Sequence, residues 1–123
     1  MKLSEIQQIL DAEVLCGGDL LYNDVSTCFA CDLISEMLLY VTRNTLVITS
    51  LTNIHVVHTA QVMDAIGVVF VAGKIPDSTV ITNSEMSNIP LFTTKHLTFE
   101  CCGRLYAQGV KANTIPTDSA DGC

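Results

Sequence analysis

Charge is scarce in this chain. Only 15% of its 123 residues are charged, against roughly 25% in an average globular protein, while hydrophobic residues make up 49%. A chain of this length fits one domain, and a small domain has much surface for its volume. Apolar side chains in excess of the core must then be covered elsewhere, most simply at a subunit interface. Long apolar runs are also missing: none approaches the roughly 20 residues of a membrane-spanning helix, which argues against the membrane as partner. Bases are few, 6 against 13 acids for a net charge of −7, and no stretch gathers several of them. A phosphate backbone would meet net repulsion, so nucleic acid is not an expected partner. The N-terminus turns polar at Gln7 and Gln8 and lacks the apolar core of a secretory signal, so the expected compartment is the cytoplasm.

What the chain does have is six cysteines: Cys16, Cys28, Cys31, Cys101, Cys102 and Cys123. In a secreted protein that number would suggest disulfides. A reducing compartment and a regular core-forming pattern make them thiols.

The pattern is α/β. Ser4-Glu5-Ile6-Gln7 has the form of a capping box ahead of a helix over 4–10. A strand over Glu13 to Cys16 follows, stopped by Gly17-Gly18; Val25 to Cys31 reads as extended. Asp32 is expected to cap a helix to Val41 with Leu33, Met37, Leu38 and Val41 on its buried side. Thr45 to Thr49, Val68 to Ala72 and Ile89 to Thr93 are short β-branched or apolar runs, as in strands covered on both faces. Between them Asn53 opens a helix stopped by Gly67, with Val56, Val57, Ala60 and Met63 as its stripe, and Asp77 or Ser78 opens another. Thr94 opens the last helix, to Gly109. Alternation with short connections predicts a single domain over 1–109 with a mostly parallel sheet flanked by helices. Residues 110–123 are poor in large apolar side chains and read as a flexible C-terminal tail.

In an open parallel sheet a ligand binds beyond the carboxyl ends of the strands. Three loops make that edge: Ser50 to Asn53, Gly73 to Pro76, and Thr93 to His96. Thr52, Asn53, Gly73, Lys74, Thr94, Lys95 and His96 are the candidate ligand-binding residues, with a nucleotide or phosphate as the ligand that helix starts and lysines would attract. The same residues are also what ordinary helix caps use, and no G-x-G-x-x-G or P-loop cradle accompanies them. The residues fit a ligand edge and ordinary caps alike.

Cys28-Phe29-Ala30-Cys31 precedes a helix, where a C-x-x-C can act as a redox pair or contribute to a metal site. No second C-x-x-C completes a zinc set, Asp32 raises thiol pKa, and cysteine is a common buried residue. Buried structural thiols are the first reading, redox or metal the alternative. His55 and His58 share a helix face without a third ligand, and no cofactor is expected.

Over residues 2–108 the chain resembles the DRTGG-domain family, most strongly in Ile9 to Gly17, Thr45 to Thr49, and Ile89 to Phe92 with Thr94. Phe99-Glu100 and Gly103 to Tyr106 continue the likeness, and the N-terminal domain of HPr kinase/phosphorylase is similar. The resemblance implies a Rossmann-like fold, dimerisation, and no activity for the isolated domain. The family signature is altered here: Leu51-Thr52-Asn53 stands where an Asp-Arg pair is expected, and Ala72-Gly73-Lys74 where Thr-Gly-Gly is expected. Lys74 replaces a charge but not a guanidinium's fork. The expected function is a non-catalytic regulatory or interaction module, homodimeric, acting through a partner protein and sensing a small anion. The last helix, with Phe99, Leu105 and Tyr106, is a contributor to the dimer face. The alternative is a thiol-redox or metal-carrying accessory protein for an anaerobic redox enzyme.

Overall fold

A computed structural model describes residues 1–115. The elements run α1 (Leu3–Ile9), β1 (Glu13–Cys16), a 3-10 turn (Gly18–Leu20), β2 (Thr27–Ala30), α2 (Ile34–Tyr40), β3 (Thr45–Thr49), α3 (Ile54–Val62), β4 (Gly67–Phe70), α4 (Ser78–Met86), β5 (Leu91–Thr93), α5 (Thr98–Ala107) and β6 (Lys111–Ala112). They build one six-stranded sheet in the order β1-β5-β4-β3-β2-β6. Every neighbouring pair is parallel except β1 with β5.

The strand order dictates the layers. The connections β2 to β3, β3 to β4 and β4 to β5 each step one strand in the same direction, so right-handed crossovers put α2, α3 and α4 on one face. The chain then returns from β5 to the far edge at β6, which sends α5 to the opposite face beside α1. Alternate residues of each strand divide accordingly. Leu46, Ile48, Val69 and Phe92 pack with Leu3, Ile6 and Leu105. Val47, Val68, Phe70 and Leu91 pack with Met37, Val56, Val57 and Val80. Every residue of β3, β4 and β5 is buried, as their β-branched and apolar runs anticipate.

Several helix boundaries differ from expectation, and at Asp32 and Thr94 the expected cap side chain has a partner elsewhere. Ser4 does not cap α1: the helix begins after Lys2, whose N–H donates to Glu5 Oε1 at 3.4 Å. Asp32 does not cap α2, which starts after Leu33; its carboxylate instead accepts from Ser50 N at 2.7 Å and Thr49 Oγ1 at 3.0 Å. Met37 and Val41 are buried as expected, whereas Leu33 and Leu38 are exposed. The helix α3 ends through Asp64 in the left-handed region, and Gly67 begins β4 rather than stopping the helix. Thr94 does not open α5; its hydroxyl donates to Leu10 O at 2.6 Å, and the helix begins four residues later. Asn53 and Asp77 cap α3 and α4 as expected.

Part of the segment expected as a tail, 110–123, is described and makes contacts. Lys111 and Ala112 pair with Thr27 and Cys28, and Asn113 Nδ2 donates to Tyr40 O at 2.6 Å. The remainder of the expected tail, 116–123, lies outside the described residues.

Candidate functional site at the switch point of the sheet

The loops after β4 and β5 leave neighbouring strands for opposite faces of the sheet, because α4 and α5 lie on opposite sides. Such a divergence opens a crevice at the carboxyl edge, where open α/β sheets bind ligands. A cleft of about 430 Å³ lies there, lined by Asp11, Glu13, Gly73, Ile75, Thr93, Thr94, Lys95 and His96.

Backbone hydrogen bonds hold its floor. Ala72 and Gly73 both adopt left-handed conformations, with φ of 59° and 70°. That double turn aims their N–H groups at the facing loop: Ala72 N donates to His96 O at 2.9 Å and Gly73 N to Thr94 O at 2.8 Å. Thr93 Oγ1 donates back to Lys74 O at 2.7 Å. Glycine suits such a position, whereas Ala72 carries strain on the order of 1 kcal/mol or more. A β-carbon on Gly73 would meet nothing within 4 Å, so this wall is open to solvent or ligand.

A cluster of ionisable side chains forms one side. Asp11 Oδ2 meets His96 Nε2 at 3.1 Å and Arg104 Nη1 at 3.4 Å. Arg104 also donates to Ile9 O at 3.2 Å and to Glu100 Oε2 at 2.8 Å, so it ties the end of α1 to α5. Lys95 and Glu13 line the same cleft, and neither is in an ion pair among the described residues. Ile75 adds an exposed apolar wall.

Four of the seven sequence candidates come together here: Gly73, Thr94, Lys95 and His96. The hydroxyl of Thr94 is committed to Leu10 O and is not free for a ligand. Lys74, Thr52 and Asn53 are not among the lining residues. Lys74 Nζ turns to Ser50 O at 3.4 Å, and Asn53 Oδ1 accepts from His55 N at 3.0 Å as the cap of α3. Thr52 sits half-buried in the same β3–α3 loop. Ile75 and Thr93 belong to the edge loops named from the sequence but not to its candidates, and sequence reasoning missed Asp11 and Glu13 altogether. The acids enter through β1, whose antiparallel pairing with β5 brings its first residue to the carboxyl edge, and no local pattern encodes that pairing.

The C-x-x-C is not a pair in space. Cys28 lies on β2 and Cys31 directly after it, rather than at a helix start. Cys28 packs toward α1 and α5, Cys31 toward α2, α3 and α4, on the other face of the sheet. Three residues of strand span roughly 10 Å, beyond the roughly 7 Å that a disulfide tolerates between Cα atoms. The two thiols are therefore not placed together as a redox or chelating couple in this structure. Burial pushes the Cys28 thiol up to about 12, and Cys102 beside it adds to the shift. Both residues line a second, apolar cavity beneath β6. Burial likewise pushes Cys101 up to about 11. His55 and His58 have ring centroids 6.4 Å apart, and no group of three potential metal ligands occurs among the described residues. No helix of the described residues is long and apolar enough to cross a membrane.

The sequence matches the DRTGG domain over residues 5–107. The structure is similar to the crystal structure of the CBS and DRTGG domains of the regulatory region of Clostridium perfringens pyrophosphatase, complexed with its activator diadenosine tetraphosphate. The TM-score is 0.69 at 16% identity, over 96% of this chain and 51% of that one, so the likeness is one of fold and this chain spans about half the other's length. No curated protein matches the sequence. With the family match covering 5–107 of its 123 residues, the chain belongs to the DRTGG-domain family.

Proposed function

We propose that this chain is a non-catalytic regulatory module of the cytoplasm that senses a small anionic ligand, a nucleotide or phosphate, and acts as a homodimer on a partner protein. The observation that carries the reading is the cleft at the switch point, with Lys95 and His96 on the loop that leads into α5. Its volume of about 430 Å³ falls in the range of small-molecule sites. The helix α5 has no side-chain cap at Leu97, which leaves its first N–H groups without that partner beside Lys95. The similar regulatory region was solved with a nucleotide activator, which makes nucleotides the first ligands to try.

A binding role fits the cleft better than catalysis. His96 and Asp11 form an acid–base pair, but the hydroxyls nearest them are already donors, Thr93 to Lys74 O and Thr94 to Leu10 O. A nucleophile needs its hydroxyl on the base, not on a carbonyl.

Thermal melting with nucleotides and inorganic phosphate tests the reading, because a ligand of the folded state alone must stabilise it, by about 2.7 kcal/mol at a hundredfold excess over Kd. Lys95→Ala should reduce the shift. Lys74→Ala should leave it nearly intact, since that ammonium lies on Ser50 O rather than in the cleft. No shift with any of these compounds at millimolar concentration would remove the proposal.

A further inference from the structure

The cleft holds a carboxylate that no side-chain ion pair among the described residues employs. Asp11 is shared between His96 and Arg104, but Glu13 is exposed, lines the cleft, and has no ion-pair partner among the described residues. An ionised carboxylate is an acceptor only and repels phosphate, so it marks the part of a ligand that carries donors.

Its place in the sheet says which donors. Glu13 pairs with Thr93, the last residue of β5, so it stands one strand over from the loop that carries Lys95, at the same edge. Neighbouring strands are about 4.8 Å apart. In dinucleotide-binding sheets the phosphate sits at the helix start after one strand, and an acidic side chain takes the ribose hydroxyls. Here β1 is antiparallel, so its first residue rather than its last reaches that position.

We propose that Glu13 accepts hydrogen bonds from the hydroxyls of a ribose whose phosphate lies at Lys95, which makes the ligand a ribonucleoside phosphate rather than free phosphate or a deoxynucleotide. This rests on the reading of the cleft as an anion-sensing site and narrows it. Ile75, 58% exposed in the loop after β4, lines the same cleft and gives the base an apolar surface.

Titration calorimetry on the full chain tests it with the four ribonucleoside 5′-monophosphates, their 2′-deoxy counterparts and inorganic phosphate. At least one ribonucleotide should bind about tenfold or more tighter than its deoxy counterpart, the size of one lost hydrogen bond to a charged group. Glu13→Leu should abolish most of that preference while leaving the deoxynucleotide bound at least as well. Equal affinity for ribo and deoxy forms, or phosphate binding as tightly as any nucleotide, would overturn the ribose assignment, and a preference that persists in Glu13→Leu would overturn the role of Glu13; each result leaves the anion site standing. No binding by any of these ligands would overturn both. Should Glu13→Leu fail to fold, Glu13→Gln takes its place and should still weaken the preference, since a neutral amide accepts more weakly than a carboxylate.

Discussion

Gly17 turns the chain out of β1 with φ of 80°, and a β-carbon there would come within 2.7 Å of Pro90 Cα. Two costs add at this residue. The left-handed conformation disfavours any L side chain by about 1–2 kcal/mol, and forcing atoms into a packed contact costs a further 1–3 kcal/mol or so. Backbone atoms cannot rotate away as a flexible side chain does. Gly17→Ala should therefore lower unfolding free energy by about 3 kcal/mol in urea denaturation. Gly73→Ala, with a similar φ of 70° and open space around it, isolates the conformational part and should cost only about 1 kcal/mol. Equal losses in the two variants would show that the Pro90 contact relaxes at no cost.

Between elements, Asp32 does what a cap does, but for a different loop. It leaves β2 and accepts from Ser50 N and Thr49 Oγ1, so it ties the carboxyl end of β2 to the loop between β3 and α3. The Ser50 N–H holds its carboxyl below the usual range, against a smaller opposing effect of burial. A carboxyl with a depressed folded pKa adds stability above its unfolded pKa of about 3.9, and that stability is lost as pH falls through the folded pKa. Asp32→Ala should cost about 1 kcal/mol at neutral pH, given the exposure of the site. The gap to the wild type should narrow as pH falls below the unfolded pKa and through the depressed folded one, until both chains lack the charge. A gap that stays constant with pH would mean that the carboxylate's charge contributes nothing. The sequence places Asp32 before a helix, and local statistics then make it a cap. Its carboxylate finds Ser50 only because β2 lies beside β3.

At the scale of the molecule, the scarcity of charge reappears as an apolar exterior on α5. Phe99 is 89% exposed and Tyr106 75%, seven residues apart on one helix face with Gly103 between them. Leu105, expected on that surface, is buried against α1 and the sheet instead. Two aromatic side chains flanking a glycine suit a two-fold pairing, which buries one patch twice and closes on itself. A stable pairing needs on the order of 1,200 Å² in total. Light scattering should give a dimer mass for the wild type at tens of micromolar. Changing Phe99 and Tyr106 together to Ser should give a monomer whose own melting changes little, because both side chains lie outside the core. A wild-type monomer at that concentration would remove the homodimer, and a dimeric double variant would move its face away from α5.

The sequence by itself determined the elements that depend on neighbours along the chain. The runs Thr45 to Thr49, Val68 to Ala72 and Ile89 to Thr93 contain β3, most of β4 and β5 because their side chains are apolar or β-branched on both faces, and Asn53 and Asp77 cap helices through bonds to residues two or three ahead. Short connections then made a mostly parallel sheet nearly unavoidable. Only the tertiary structure decided which strands lie at the edges and which side chains meet. His96 and Asp11 are 85 residues apart, and Glu13 reaches the cleft only because β1 pairs antiparallel with β5. Cys28 lies near Cys102 and not with Cys31, since successive strand residues face opposite sides of the sheet. Strand pairing joins backbone groups that every residue carries alike, so side-chain order along the chain encodes it weakly; the cleft inherits its composition from that choice.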